Sequence, residues 1–529
     1  MSQTASPTTE TTVWQPSVNP WLIAVAVMLA AILEVLDTSI ANVALPNMAG
    51  SMASSLDEAT WVLTSYLVAN AIVLPMTGWL SSFFGRKRFL ITCTLLFSLS
   101  SAVCGIANSM GVLILARTFQ GAAGGALLPI SQAILMESFP PAKRGVAMAV
   151  YGAGVVVAPI FGPVLGGWLT DNYSWRWIFY INIPFGILAV LMLQAFVEDP
   201  PYLRDARKRS GTIDYIGFAA MAISLASLQI ILDRGQDDDW FNAAWICWGS
   251  AICLVSMAFF IFWETRVPYP LVDLRVFRSR SFAIGTSLTV IGGVMIYSTT
   301  SLLPMFLQGL MGYPSLNSGM AMSLRGVGAI VAMVAVGKLS GKVDARILIN
   351  AGWLLLVYSC WQLGNITMDV SPGNLNWPNV LTGLGMGFLM VPLMTVSLSD
   401  VPNEQMGNAS GVNNLARSIG GSMGISLTTT LVVRGTQAHS ALMIGHLSPY
   451  RPEFQQYVQS ATAMLGQYGD PVSARQQAYG LVYGAAQQQA NLFAYVDTFR
   501  LLGFMCLLCV PVVFLLKKAK PGGGPVALH

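Results

Sequence analysis

Charged residues are scarce in this sequence, and histidine is almost absent. Only 10% of the 529 residues are charged, 54% are hydrophobic, and the mean hydropathy is +0.61. Soluble domains carry roughly 25% charged residues, so the composition excludes a soluble enzyme with one anchor. The three histidines, His439, His446 and His529, lie outside the apolar runs. A membrane redox enzyme or transferase with histidine ligands is therefore disfavoured.

Other signals are missing as well. The chain has no G-x-x-x-x-G-K-[ST] loop for ATP, and its seven cysteines all fall within apolar runs, so we expect buried thiols without disulfides. The polar segment Met1–Pro20 has no basic region and does not resemble a cleaved signal peptide. The net charge of +4 requires no acidic partner such as a nucleic acid. No cofactor is expected.

Apolar runs recur along nearly the whole length, and each reaches the ~20 residues that a spanning helix needs. We therefore predict an all-α integral membrane protein with fourteen spans. The predicted spans are 21–43, 59–81, 89–107, 111–136, 145–169, 176–197, 213–232, 242–264, 282–307, 316–338, 347–365, 377–399, 408–433 and 498–516.

Lysine and arginine are distributed unevenly among the predicted loops. One set of loops, counted with adjoining span ends and the C-terminal tail, holds nineteen basic residues, and the opposite set holds five. Basic residues concentrate on the cytoplasmic side of membrane proteins. The asymmetry predicts that both termini are cytoplasmic.

Two short echoes indicate a duplicated architecture. Gly78-Trp-Leu-Ser closes the second span and Gly337-Lys-Leu-Ser closes the tenth. A glycine also precedes a proline by five residues in both the fourth and the twelfth spans, at Gly124/Pro129 and Gly387/Pro392. Such repeats are typical of transporters with a midplane site. The predicted divisions are a cytoplasmic tail at 1–20, a first six-helix bundle at 21–200, two inserted helices at 210–265, a second six-helix bundle at 281–516 and a cytoplasmic tail at 517–529.

The second bundle includes a long outer loop, 434–497, which has no apolar run and contains ten glutamines. Within it, the stretch from Pro471 to Asn491 is rich in alanine and glutamine and is a candidate helix. The loop is either a docking surface or a solvated spacer. His439 and His446 lie there, but two histidines without a third ligand predict no metal site.

Two carboxylates, Glu34 and Asp37, lie inside the first apolar run. Holding a carboxylate ionised at such a depth costs several kcal/mol, so it is paired, protonated or functional. Their i,i+3 spacing places both on one helix face. Repulsion between them favours proton uptake by one of them, which is what a proton carrier needs.

Arg117 lies in the fourth span at the same predicted depth as Asp37. Each is roughly 9 Å from the outer end of its span, at ~1.5 Å per residue. We expect the two to be neighbours if the first and fourth spans pack together. The pair either orients helices as a fixed contact or switches, because protonating the carboxylate would release the arginine.

Two further arginines, Arg325 and Arg417, lie near mid-depth in the second half, where no deep acid matches them. An anion-binding role and pairing across a central cavity are both open. An anion-binding role would favour anionic or weakly acidic substrates. Tyr66, Tyr297 and Phe306 are candidate cavity-lining residues, although a membrane aromatic more often serves packing.

Several motifs resemble those of the major facilitator superfamily. Ala158 to Gly167 resembles its antiporter motif, and Leu113 to Gly121 resembles its fourth-span motif. The stretches from Leu36 to Pro46 and from Trp175 to Pro184 resemble the fourteen-span drug:proton antiporters, including the EmrB-type multidrug exporters. In the fifth span, small residues allow close helix approach and prolines bend the helix. The hinge or seal candidates are Pro159, Gly162, Pro163, Gly166 and Gly167.

The loop after the second span resembles the superfamily pattern G-x-L-a-D-r-x-G-r-k, with one departure. Ser82 occupies the acidic position, so the gating salt bridge of that aspartate cannot form from there. The basic cluster is left to order the loop or to bind lipid head groups. The matching positions of this cytoplasmic gating loop are Gly78, Leu80, Gly85, Arg86 and Lys87.

The resemblance implies drug:proton antiport across the bacterial inner membrane, with Asp37 as the main proton site and Glu34 as a tuning neighbour. It implies two partners, a periplasmic adaptor of the membrane-fusion type (EmrA-like) and an outer-membrane channel, and 434–497 would be a natural docking element. The alternatives are an exporter of one natural amphiphile such as a fatty acid, a symporter, and a receptor or scaffold without transport.

Overall fold

The computed structural model describes residues 16–200, 214–268, 270–313, 315–340, 342–402, 405–445, 447, 450–465 and 470–517. The predictions for most of the N-terminal tail, for His446 and for nearly all of the C-terminal tail lie outside these residues. Most basic residues of the predicted loop before the inserted helices also lie outside them.

The described chain is built from helices in two groups, with two helices between them. The first group comprises Pro20–Ser51 (α1), Leu56–Phe84 (α2), Arg86–Ile106 (α3), Met110–Gly124 (α4), Leu127–Ser138 (α5), Pro141–Asn172 (α6), Trp177–Tyr180 (α7) and Asn182–Phe196 (α8). The intervening helices are Tyr215–Arg234 (α9) and Ala244–Glu264 (α10). The second group comprises Arg280–Pro304 (α11), Ser315–Leu339 (α12), Ala345–Leu363 (α13), Pro372–Ser399 (α14), Met406–Ile444 (α15), Pro452–Leu465 (α16) and Pro471–Val513 (α17).

Eleven helical stretches among the described residues are long and apolar enough to cross a membrane. Helices α6, α13 and α15 cover the three remaining predicted segments, 145–169, 347–365 and 408–433. Every predicted apolar segment therefore falls on a helix, and the protein is a multi-pass membrane protein. The count of fourteen spans and the orientation of the termini stay predictions.

Capping groups fix the helix ends near the first carboxylates. The Asn19 side chain accepts a hydrogen bond from the Trp21 backbone N–H at 3.0 Å, at the start of α1. Ser55 and Glu58 form a capping box at the start of α2. Gly85 alone joins α2 to α3, with a φ of 87° that favours glycine.

The segment 434–497, predicted to be a long outer loop between two spans, is largely helical in its described residues. Helix α15 continues to Ile444, and α17 begins at Pro471, where the alanine- and glutamine-rich stretch is confirmed as a helix. Side chains link the two extensions, as in the 2.6 Å hydrogen bond from Thr436 Oγ1 to Asn491 Oδ1. Hydropathy marks the part of a helix that lies in lipid and not its ends, whereas alanine and glutamine favour helix in water too.

The two groups pack against each other through α2 with α15, α5 with α15, and α6 with α12. Several of these approaches lie at the end predicted to be cytoplasmic. A Cβ on Gly78 would lie 2.5 Å from the Asn408 backbone, and a Cβ on Gly152 would lie 3.4 Å from the Met333 side chain. Helix α9 contacts both α2 and α15.

The expectation of buried thiols is wrong at one position. All seven cysteines are free and six are not exposed, but Cys247 is exposed. It lies near the start of α10, which packs mainly on α9 and leaves most of its side chains facing outward. An apolar helix in lipid does not need protein around it, so apolar surroundings in sequence do not imply burial.

Candidate functional site

Asp37 and Arg117 form a buried ion pair between α1 and α4. Arg117 Nη1 lies 2.5 Å from Asp37 Oδ2, and neither side chain is more than 1% exposed. Asp37 and Arg117 are therefore neighbours, as expected from their predicted depths. Removing one partner of a buried pair costs about 3–5 kcal/mol, because the other charge stays buried.

Two amides complete the surroundings of Asp37. Its Oδ1 accepts hydrogen bonds from Gln120 Nε2 at 3.0 Å and from Asn182 Nδ2 at 2.8 Å. Gln120 Oε1 also accepts from Arg117 Nη1 at 2.9 Å. Asn182 in turn donates to Ser101 Oγ at 3.0 Å. The Asp37 carboxylate on α1 is thus held by side chains of α4 and α8, and Asn182 links it indirectly to α3.

Arg117 has further contacts on α2 and α7. Its Nε donates to the Val62 carbonyl oxygen at 3.2 Å. The guanidinium carbon lies 4.2 Å from the centre of the Tyr66 ring and 5.7 Å from that of Phe179. Both distances allow cation–π attraction. Tyr66 is buried against the arginine, and this contact is the role that its position supports.

Glu34 has different partners from Asp37, although both lie on α1. Its Oε1 accepts a hydrogen bond from Asn70 Nδ2 at 2.9 Å, and Oε2 has no side-chain partner among the described residues. Arg417 of the second group lies within electrostatic reach. The two carboxylates are therefore separate sites, one closed by an arginine and one facing the other helix group.

Sequence reasoning missed Asn70 and gave no role to Gln120 or Asn182. All three are polar amides buried among apolar neighbours. Gln120 follows Arg117 by three residues and so shares its helix face. An uncharged amide inside a span is a weaker signal than a charge, but it was available in the sequence.

The two arginines of the second group occupy different surroundings. Arg325 is buried, and among the described residues it donates only to neutral oxygens, on Thr299, Thr300 and Asn379, at 3.0–3.4 Å. Arg417 is half-buried, and its guanidinium makes no hydrogen bond or ion pair within the part of the chain that the structure describes. Arg417 faces the seam between the groups, whereas Arg325 lies within the second group.

The remaining aromatic candidates also differ in position. Tyr297 is 41% exposed, and a Cβ on Gly421 would lie 2.6 Å from its ring. Phe306 is fully buried in the core of the second group, with its ring centre 5.5 Å from that of Tyr495. Its place in this core supports packing rather than contact with a substrate.

The glycines of α6 bring this helix against α1, beside the carboxylates. A Cβ on Gly162 would lie 2.5 Å from Ser39 Oγ, and one on Gly166 would lie 2.8 Å from Ile40 Cγ2. Gly167 is less constrained, since a Cβ there would lie 3.9 Å from its nearest neighbour, a methyl of Val43. Small residues here permit the close approach of α6 and α1. Of the two prolines, Pro159 is exposed, and the Pro163 side chain lies outside the described part.

The basic residues after α2 contact protein groups. Arg86 is buried and forms an ion pair with Glu137 at the end of α5. The Lys87 backbone N–H donates to Asp199 Oδ1 at 2.8 Å, and its Nζ donates to the Gln194 carbonyl oxygen at 2.7 Å. These contacts order the turn between α2 and α3.

Ser82 and Gly78 lie at the α2 end of this turn. Ser82 Oγ donates to the Gly78 carbonyl oxygen at 2.9 Å within α2 and carries no charge toward α15.

His439 pairs with Asp497 at 2.8 Å. The described residues contain no group of three or more ligands that would hold a metal ion.

Comparisons with known proteins agree with this architecture. Residues 27–425 match the profile of the Major Facilitator Superfamily. Multidrug export protein EmrB of Escherichia coli K12 is 34% identical over 504 residues, covering 95% of this chain and 96% of the relative. Fatty acid resistance protein FarB of Neisseria gonorrhoeae is 34% identical over 496 residues, covering 94% and 96%.

A solved structure supports the fold. The proton:xylose symporter XylE superposes with a TM-score of 0.59 at 14% identity, covering 93% of this chain and 96% of that one. At this identity the likeness concerns the fold alone. The chain therefore belongs to the Major Facilitator Superfamily, as an all-helical membrane transporter and not an enzyme.

Proposed function

We propose that this chain exports hydrophobic and amphipathic drugs across the bacterial inner membrane in exchange for protons, by alternating access. The observation that carries the proposal is the buried Asp37–Arg117 pair, whose carboxylate also accepts hydrogen bonds from amides of α4 and α8. The similarity of this chain to EmrB over nearly its whole length supports the export of drugs.

The proposed coupling step is protonation of Asp37 from the outer side. A neutral carboxyl group attracts the guanidinium of Arg117 far less than a carboxylate does. Arg117 would then rest on Tyr66, Gln120 and the Val62 carbonyl, which already contact it. Loss of the charge loosens α1 from α4, and release of the proton to the cytoplasm restores the pair.

Helix α6 is the proposed hinge or seal. Gly162 and Gly166 pack on Ser39 and Ile40, which follow Asp37 by two and three residues. A movement of α1 would therefore displace α6 directly. The first residues of α6 in turn pack against α12 of the second group.

The proposed substrate cavity lies at the seam between the helix groups. Arg417 is the best-supported lining candidate, because it is half-buried and lies within electrostatic reach of Glu34, whereas Tyr66 is buried against Arg117 beside the proton site. Tyr297, with its partly exposed ring, is also retained. Arg325 would act there only on a substrate group that enters the second helix group.

We also propose the inner membrane as the location, with both termini cytoplasmic and the predicted domain divisions. The helical extension within 434–497 would then be periplasmic and is the proposed docking element for an adaptor leading to an outer-membrane channel. Its exposed apolar side chains support this role: Leu442, Tyr450 and Met464 are each at least 66% exposed.

A second candidate is the export of one natural amphiphile, a fatty acid. The similarity to FarB, named as a fatty acid resistance protein, favours it. A guanidinium without a hydrogen-bonded partner among the described residues at the seam, that of Arg417, suits a carboxylate head group. A susceptibility panel of drugs, bile salts and fatty acids, with and without the gene, would separate the candidates.

Everted membrane vesicles test the proposed direction and coupling. Protons are first accumulated in the vesicle lumen. Adding a substrate should then partly collapse the proton gradient, because each substrate molecule carried into the lumen is exchanged for protons that leave it. Vesicles without the protein serve as the control. A gradient that no compound from the panel disturbs would contradict antiport.

A further inference from the structure

Gln132 of α5 lies at the seam between the two helix groups and accepts hydrogen bonds from α15. Ser410 Oγ lies 3.1 Å from its Oε1, and Asn414 Nδ2 donates to the same oxygen at 2.6 Å. The three side chains are 3%, 0% and 3% exposed. Because buried polar groups need partners, α5 and α15 can separate here only if water or other groups replace these bonds.

Neighbouring contacts show how tightly the seam is closed at this level. Ser410 Oγ also lies 3.0 Å from the Pro129 carbonyl oxygen. A Cβ on Gly411 would lie 2.5 Å from Thr77 Oγ1 of α2. Helix α15 therefore packs directly on both α2 and α5, at the end of the molecule predicted to be cytoplasmic.

This contact is neutral, as the sequence requires. Ser82 supplies no carboxylate, and its hydroxyl is used within α2. The hydrogen bonds of Gln132 are directional and short-ranged, so they break completely over a small separation. These hydrogen bonds therefore stabilise the contact only while the two helices touch, and they do not attract the helices once they have separated.

Both segments that carry the Gln132 contact also have a residue within interaction range of Glu34, one helical turn along the chain. On α5, the Leu128 backbone lies against Glu34, four residues before Gln132. On α15, Arg417 acts on Glu34 and follows Asn414 by three residues. The segments that carry the contact are therefore the ones that meet Glu34.

We propose that Gln132, through Ser410 and Asn414, is the latch that keeps the transporter closed toward the cytoplasm. It is a positioning residue and contacts no substrate. The inference rests on the proposed transport cycle for its meaning, because the latch must open each time the site faces the cytoplasm. The closed contact itself is independent of which substrate is carried.

Hydrogen–deuterium exchange of the full-length protein in nanodiscs tests the latch. Gln132→Leu removes the acceptor, and the backbone amides of 406–417 should exchange on the order of tenfold faster, as expected when the buried Asn414 amide loses its partner. The single hydroxyl proton of Ser410 can still be donated to the Pro129 carbonyl oxygen. Unchanged exchange in Gln132→Leu would overturn the proposal.

A matched control exists elsewhere on α15. Gln229 of α9 is also buried and donates to Ser422 Oγ at 2.8 Å. Gln229→Leu should leave exchange in 406–417 unchanged, and an equal acceleration there would reduce Gln132 to general packing. If Gln132→Leu does not fold, Asn414→Leu tests the same bond from the other side, with the same two outcomes.

The experiment also separates the latch from the proposed function. Exchange is measured without substrate or proton gradient, so failure of antiport in vesicles leaves its outcome unaffected. In a transporting preparation, Gln132→Leu should change the rate of substrate exchange while Gln229→Leu does not.

Discussion

Two carboxylates three residues apart on one helix have become chemically distinct through their partners. Asp37 is held by Arg117, Gln120 and Asn182, whereas Glu34 has one amide partner, Asn70. Their spacing places both carboxylates on one helix face. From this spacing alone, the two would be expected to repel each other. Packing of other helices separates them, which periodicity within α1 cannot reveal.

The ion pair leads to a prediction at the residue scale. Arg117→Ala should lower the free energy of unfolding by about 3–5 kcal/mol, because Asp37 stays buried without its cation. Adding Asp37→Leu should recover part of this loss. The midpoint of thermal unfolding in detergent, followed by tryptophan fluorescence, measures both effects.

An exposed ion pair provides the control. Asp239 and Arg434 lie 3.3 Å apart with side chains 68% and 56% exposed. Asp239→Asn should change stability by only about 0–1 kcal/mol. If Arg117→Ala is as mild as this substitution, the buried pair does not hold α1 to α4.

At the scale of elements, hydropathy located the helices but not their limits or partners. The span 408–433 lies within α15, which runs on to Ile444. The small residues of α6 indicated close packing, and α1 is the partner that the structure provides. Contacts between segments over a hundred residues apart, such as Gln132 with Asn414, depend on how helix groups meet and have no local signal.

Adjacent glycines of α6 allow a matched test of the packing. Gly166→Ala should reduce transport and stability, since the new methyl would lie 2.8 Å from Ile40 Cγ2 and 3.2 Å from its carbonyl oxygen. Gly167→Ala should be neutral or stabilising, because the nearest atom is 3.9 Å away and alanine favours a helix by about 1 kcal/mol. Equal transport rates in the two variants would argue against tight α6–α1 contact.

At the scale of the whole molecule, the sequence predicted an all-helical major facilitator fold from apolar runs and motifs. The equal predicted depths of Asp37 and Arg117 in their spans also led to the expectation that the two residues are neighbours. The sequence also predicted a helix from Pro471 to Asn491, but not the continuation of α15 from 434 to Ile444, because that polar continuation carries no hydropathy signal. The helical extension within 434–497 projects from the second helix group on two helices that continue from the spans.

The extension supports a prediction about partners. Replacing Leu442, Tyr450 and Met464 together by glutamine should leave transport by the purified protein intact, since exposed substitutions usually change stability by less than about 0.5 kcal/mol. Drug resistance of whole cells should fall if these side chains dock an adaptor. Undiminished resistance would remove this surface from the assembly.

The central claim is that Asp37 couples proton movement to export. Substrate-driven proton flux in proteoliposomes, read by a pH-sensitive dye inside them, tests it most directly. Asp37→Asn should abolish this flux while substrate counterflow continues, and Asp239→Asn should behave as wild type. Full substrate-driven proton flux through Asp37→Asn would contradict the account.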